Sequence, residues 1–70
     1  MDFKKEIELL KSEQDRAILN MAYSQMLRYQ ETRTEDDLDF FCEIVEGMGR
    51  LLTDEGAQIL HKMIEVNVEV

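Results

Sequence analysis

The chain has 70 residues, a formal net charge of −8 and a single cysteine, Cys42. This length allows one domain, so residues 1–70 are treated as a single helical domain. A fold this small buries only about 60% of the surface of its unfolded chain and needs a further source of stability. A disulfide within the chain is excluded, and Cys42 with His61 falls short of the roughly four ligands of a structural zinc site. We therefore expect no cofactor, and stability from regular helix packing and self-association.

The composition also bears on location. The lone cysteine fits a reducing compartment. Residues 1–11 mix lysine, glutamate and apolar residues, a pattern that does not resemble a secretory signal peptide. No apolar run approaches the roughly 20 residues that cross a bilayer. We expect a cytoplasmic protein without a membrane partner.

The acidity is concentrated in the middle of the chain. Residues 1–30 contain five acids and five bases, whereas residues 31–46 contain seven acids and one base, Arg33. A phosphate backbone or an anionic membrane requires a basic surface, and none is visible. The charge pattern therefore excludes direct binding of nucleic acid.

A first helix is predicted over about residues 2–30, because no proline or glycine interrupts this segment. Ser12 followed by Asp15 resembles a capping box, so a break near Ser12 is the alternative to one long helix. The pattern favours one long helix, kinked at most. Its apolar stripe comprises Phe3, Ile7, Leu10, Ala17 and Met21.

Residues 17–29 are apolar over most of the helix circumference, so this part needs neighbours on more than one side. At roughly 44 Å, the first helix outruns the other two. Its exposed apolar end predicts a homodimer with a shared core. The residues expected to mediate self-association are Leu19, Tyr23, Met26, Leu27, Phe40 and Ile44.

A second helix is predicted over about residues 35–52. Thr34 is a suitable N-cap and is followed by three acids, which favour the positive end of the helix dipole. Its inward positions are expected to be Leu38, Phe41, Val45, Met48 and Leu52, widened by Phe40, Ile44 and Leu51.

The third predicted helix covers about residues 54–66, with Thr53 as its N-cap. Its inward positions are expected to be Ala57, Leu60, Met63 and Ile64, with Ile59 beside them. Residues 66–70 alternate apolar and polar, but a lone strand has no partner within the chain. A frayed end or an extension of the helix is favoured for the short tail 67–70. The fold prediction is all-α: a small antiparallel three-helix bundle completed by dimerisation.

The candidate reactive residues do not form a catalytic pattern. His61 and Glu65 lie at i and i+4 and could supply two metal ligands, which do not make a site, so His61 is interpreted as a surface residue. Cys42 is expected to be a small buried apolar residue, because nothing around it resembles an activating base with an oxyanion site. Gly47 and Gly49 follow no strand, so they indicate a close helix approach or a bend rather than a phosphate loop. The protein is not expected to be an enzyme.

Four acids on the second predicted helix fall on the side opposite its apolar face. We call them the acidic stripe: Asp36, Asp39, Glu43 and Glu46. The stripe is either a solvated face that keeps the protein soluble or a docking surface for a basic partner protein. The leading hypothesis is a non-enzymatic interaction module, a small regulatory homodimer that docks its partner through the stripe. The alternative is an acidic inhibitor that mimics DNA and blocks a nucleic-acid-binding protein.

A helix-turn-helix function for residues 35–66 is disfavoured. Its recognition helix would begin with Asp54 and Glu55, which repel phosphate.

Overall fold

The computed structural model describes residues 3–68, which form four α-helices. They are α1 (Phe3–Glu8), α2 (Glu13–Thr32), α3 (Glu35–Met48) and α4 (Asp54–Val68), with a short 3₁₀ segment, Gly49–Leu51, between α3 and α4. The all-helical prediction is confirmed over this part of the chain. The segment 66–68 extends α4, as one of the two favoured alternatives had it, and residues 69–70 lie outside the described range.

The prediction of one helix over residues 2–30 is wrong, because the chain breaks between Glu8 and Glu13. Ser12 is the N-cap of α2: its backbone is extended, and its hydroxyl accepts a hydrogen bond from the Asp15 N–H at 3.2 Å. The guanidinium of Arg16, in α2, donates to the carbonyl of Leu10, in the break. These bonds satisfy backbone groups that a helix interruption leaves open.

The break lets α1 fold back against both α2 and α4. Phe3, Ile7 and Leu10 are thereby buried, and Ile7 is completely inaccessible to solvent. In a continuous helix, α1 would extend away from the other helices with its apolar side chains in water. Burial of these three side chains, at about 1.5–3 kcal/mol each, favours the folded-back arrangement.

Helix α2 is central and packs against α1, α3 and α4, which confirms that residues 17–29 need neighbours on several sides. The inward placement of Ala17 and Met21 is wrong, since Ala17 is exposed and Met21 is 43% exposed. The predicted stripe assumed one continuous helix across the break. Because α2 starts anew after Ser12, a different set of its residues faces the core. Its buried apolar residues are Ile18, Leu19, Ala22 and Met26.

Helix α3 ends earlier than predicted, at Met48, because the chain tightens into the 3₁₀ segment, closed by the Leu52 N–H donating to the Gly49 carbonyl at 3.2 Å. Phe41 and Ile44 are buried, but Phe40 and Leu51 are more than half exposed. The remaining predicted inward positions are half-buried: Leu38, Val45, Met48 and Leu52.

The close approach expected at the paired glycines exists at Gly49 alone. A Cβ on Gly49 would lie 3.3 Å from the Leu60 side chain, whereas one on Gly47 would have nothing within 4 Å. In α4, Ile59, Leu60 and Met63 are buried as predicted. Ala57 and Ile64, also expected inward, are half-buried.

Buried side chains from all four helices, together with Leu10, form one core. The Cα radius of gyration is 11.2 Å, close to the roughly 11 Å of a folded single chain of this length. One chain therefore closes a core without a second copy.

A single charged residue, Asp15, is fully buried within the described part of the chain, at 1% exposure. Its Oδ1 accepts a hydrogen bond from the Thr53 N–H at 3.1 Å, and its Oδ2 accepts one from the Thr53 hydroxyl. The Thr53 Oγ1 also accepts from the Gly56 N–H at 3.4 Å, in the first turn of α4. Asp15 thus joins the start of α2 to the start of α4, and a carboxyl group is favoured near the positive end of a helix.

Gly56 leaves the space that this junction needs. A Cβ at this position would lie 2.8 Å from Asp15 Oδ2 and 3.2 Å from Leu52 Cδ2. Both distances are shorter than van der Waals contact, so a larger residue would displace the Asp15 carboxyl group or the helix.

Replacing Gly56 with alanine should therefore destabilise the protein. We expect Gly56→Ala to lower the free energy of unfolding by about 1–3 kcal/mol through overpacking, despite the roughly 1 kcal/mol by which alanine exceeds glycine as a helix former. Gly47→Ala is the matched control, because its Cβ would meet open space. That variant should gain up to about 1 kcal/mol. Urea denaturation followed by circular dichroism measures both, and equal stabilisation by the two variants would contradict the packing of Gly56.

Candidate functional site

The candidate surface is the outer side of the α2–α3 hairpin. Helix α2 ends at Thr32 and is followed by its C-cap Arg33, whose φ of 54° reverses the chain and whose N–H donates to the Tyr29 carbonyl at 2.7 Å. Helix α3 then starts at its N-cap Thr34, whose hydroxyl accepts from the Asp37 N–H at 3.3 Å. The two-residue connection sets the helices side by side.

Asp37 fixes the two helices to each other at this end. Its carboxyl group accepts hydrogen bonds from the hydroxyls of Thr32 and Thr34, and from Gln25 Nε2 at 3.3 Å. Gln25 Nε2 also lies 2.8 Å from the Asp37 carbonyl oxygen, and Arg28 Nε lies 3.4 Å from Asp37 Oδ1. Asp37 therefore links α3 to the end of α2 at Thr32, to the turn at Thr34 and to the middle of α2 at Gln25.

These contacts shift the titration of Asp37. The hydrogen bond from Thr32 is the largest effect and holds the pKa of Asp37 below its ordinary value of 3.8. Partial desolvation acts in the opposite direction, and Thr34, Gln25 and the Arg28 charge lower the pKa further. The folded hairpin thus favours the ionised carboxylate.

A shallow groove runs along the hairpin between α2 and α3, which we call the α2–α3 groove. Ile44 lies at its base and is 6% exposed, whereas Met21 on α2 and Phe40 on α3 are 43% and 53% exposed. Polar residues of α2 complete its lining: Asn20, Ser24, Gln25 and Arg28. The groove therefore presents two large apolar side chains to solvent.

All four residues of the acidic stripe are exposed, as the helical periodicity predicts. None of them takes part in a hydrogen bond or ion pair among the described residues; the ion pairs there join Arg28 to Asp37 and Lys62 to Glu6. Asp36 and Glu43 stand at i−4 and i+3 from Phe40, so they are its neighbours on the helix surface. Asp39 and Glu46 lie farther around α3, at 100° per residue. One edge of the stripe therefore borders the groove.

The proposed self-association residues do not form one exposed surface. Leu19, Met26 and Ile44 are at most 6% exposed within a single chain, so they are not accessible to a second copy as the chain is folded. Tyr23 is half-buried, and its ring centroid lies 6.2 Å from that of Phe3. The folded-back α1 supplies the neighbour that the periodicity had assigned to another chain. Leu27 and Phe40 remain exposed.

The two candidate reactive residues lie apart from this groove lining. Cys42 is exposed, so its expected burial is wrong; it falls on the outer side of α3. His61 is exposed, which agrees with its interpretation as a surface residue. Within residues 3–68, no three histidine, cysteine or acidic side chains are grouped closely enough to hold a metal ion. None of the described helices combines the length and apolar character needed to cross a membrane.

The depressed pKa of Asp37 predicts a pH-dependent contribution to stability. A carboxyl group with a lower pKa in the folded state stabilises that state above its unfolded pKa and loses this effect as pH falls through the folded pKa. Asp37→Asn should therefore reduce stability at pH 7, and its difference from wild type should shrink below about pH 3.8. Denaturation at pH 7 and at successively lower pH tests this.

The control for Asp37→Asn is Asp36→Asn, which removes a neighbouring charge from the first turn of α3 without breaking a described hydrogen bond. At pH 7 we expect Asp36→Asn to be the milder change. A pH-independent deficit in Asp37→Asn would contradict the proposed role of the Thr32, Thr34 and Gln25 contacts.

Comparison of the chain with models of known protein families, with curated proteins and with solved structures finds no match.

Proposed function

We propose that this chain is a non-enzymatic protein-interaction module that docks a basic partner protein through the outer side of α2 and α3. The observation that carries the proposal is the exposure of Met21 and Phe40 in the α2–α3 groove, with Asp36 and Glu43 of the acidic stripe beside Phe40 on α3. A regulatory role would follow from occupancy of this surface.

The chemistry of the surface matches that of protein interfaces. Aromatic residues and methionine are enriched in interface cores, and methionine adapts its shape to different partners. Flanking charges of one sign accelerate association with a partner of the opposite sign and discriminate against other partners. Asp36 and Glu43 supply such charges beside Phe40.

Fewer of the residues proposed for self-association are available to form a homodimer. The buried positions Leu19, Met26 and Ile44 stabilise the single chain, so self-association would depend on Leu27 and Phe40. Sedimentation measures it directly: Phe40→Ser should lower the mass if a second copy covers Phe40.

A DNA-mimicking inhibitor would use a different set of residues on α3. Such an inhibitor requires the whole row of carboxylates, including Asp39 and Glu46, and has no need of Phe40. Binding that persists in Phe40→Ser but is lost on reversal of Asp39 and Glu46 would favour it over groove docking.

The central test is charge reversal at the groove edge. The test variant is Asp36→Lys with Glu43→Lys; the control is Glu8→Lys with Glu65→Lys, which makes the same change in net charge at exposed sites on α1 and α4. Each immobilised protein is exposed to a lysate of the cells that produce it, and retained proteins are identified by mass spectrometry.

We expect a basic protein that wild type and control retain and the test variant loses. Its binding to the purified wild-type chain should weaken as salt is raised, because exposed charges are screened. Retention of the same proteins by all three chains would contradict the proposal.

A further inference from the structure

Resting on the proposed function, we infer that the α2–α3 groove accepts a short amphipathic helix with basic residues along one side of its apolar face. The partner's apolar side chains would lie between Met21 and Phe40. Its lysine or arginine residues would pair with Asp36 and Glu43.

The dimensions of the groove set the size of this ligand. Its lining on α2 extends from Asn20 to Arg28, which is about 12 Å along the helix axis at 1.5 Å per residue. That length matches roughly two turns of a bound helix, with apolar anchors at i, i+3 or i+4, and i+7. The exposed apolar walls, Met21 and Phe40, provide the contacts for those anchors.

The charges along the two rims are unequal. On α3, Asp36 and Glu43 lie beside Phe40 on the helix surface, just outside the groove lining, whereas the lining on α2 carries the neutral residues Asn20 and Ser24. Arg28, at the end of the groove, lies 3.4 Å from Asp37, which offsets its charge. A ligand helix with basic residues on one flank complements this asymmetry.

A second copy of the chain is a poorer occupant. It would bring another net charge of −8 to a rim that is already acidic. The apolar residues of its α1 are buried in its own core, so that helix offers no apolar face. Charge complementarity therefore selects a basic partner over self-association.

The test uses three labelled synthetic peptides of about 15 residues, long enough to exceed the two turns of the groove. The first carries leucine at the helical anchor positions and lysine on one flank. The second has the same composition in scrambled order, and the third replaces lysine with glutamate. Fluorescence anisotropy measures affinity for the full chain, and amide chemical shifts locate the site.

Four variants complete the experiment. Phe40→Ser removes an exposed wall of the groove, and its control is Leu9→Ser, which removes an apolar side chain that is 76% exposed in another part of the fold. The charge pair Asp36→Lys with Glu43→Lys has Glu8→Lys with Glu65→Lys as its control. Each test variant should weaken binding of the first peptide about tenfold, and each control less than about twofold.

The shifts should map to the groove, and the scrambled and acidic peptides should bind at least about tenfold more weakly than the first peptide. Equal affinity for the scrambled peptide, shifts outside the groove or unchanged affinity in Phe40→Ser would overturn the inference. A lower sedimentation mass for Phe40→Ser would overturn it in favour of a second copy.

Failure here can be separated from failure of the proposed function. If a lysate protein is lost on charge reversal but the helical peptide does not occupy the groove, the interaction module stands and the helical ligand is wrong. If no lysate protein distinguishes the charge-reversed variant from its control, the interaction module itself is wrong.

Discussion

The fold depends on a hydrogen-bonded junction between the starts of two helices, made by Asp15 and Thr53, which are 38 residues apart. Asp15 is buried in the first turn of α2 and accepts from both the backbone and the hydroxyl of Thr53, which precedes α4. A buried carboxyl group is costly unless its oxygens are hydrogen-bonded, and here both are. Ser12 orients Asp15 by capping α2, and Gly56 leaves room for the carboxyl group. The break before α2, the return of α1 and the position of α4 all meet at this point.

This junction also determines which surfaces remain for function. With α1 folded back and α4 held at its start, the inner side of α2 is covered by α1, α3 and α4 of the same chain. The apolar residues left over lie on the outside of the hairpin, where Met21 and Phe40 line the α2–α3 groove. Because the core is closed, the interaction hypothesis no longer depends on Leu19, Met26 and Ile44. It depends instead on Phe40 and its neighbours Asp36 and Glu43.

Features that depend on residues close together in the sequence could be predicted, whereas features that depend on distant contacts could not. The starts of α3 and α4 at Thr34 and Thr53 depend on local capping, and the exposure of the acidic stripe depends on helical periodicity within one helix; all were predicted correctly. The break at Ser12 was visible as a capping pattern, but an apolar stripe running from Phe3 to Met21 favoured continuity. The hydrogen bonds that Thr53 donates to Asp15 resolve that choice, and no spacing along the chain reveals them.

The candidate site shows the same division. The period of α3 places Phe40 beside Asp36 and Glu43 without any tertiary information. In contrast, the burial of Leu19 and the contact of Tyr23 with Phe3 depend on where α1 returns, so the sequence could not separate core positions from interface positions. The role of Asp37 was also missed, since its partner Gln25 lies on a different helix, 12 residues away.

A double-mutant cycle between Asp15 and Thr53 tests this account most directly. The free energies of unfolding of Asp15→Ala, Thr53→Ala and the double variant would be measured by urea denaturation, with sedimentation to confirm that each is monomeric or equally associated. The single and the double variant that carry Thr53→Ala both lose the hydrogen bond from the Gly56 N–H to the Thr53 hydroxyl. This loss cancels in the cycle, which therefore isolates the coupling between the two side chains. The account predicts a coupling of about 1–2 kcal/mol for the hydrogen bond between the Thr53 hydroxyl and the Asp15 carboxyl group, because Thr53→Ala keeps the backbone N–H that donates to the other carboxyl oxygen. Additivity within about 0.3 kcal/mol would contradict it.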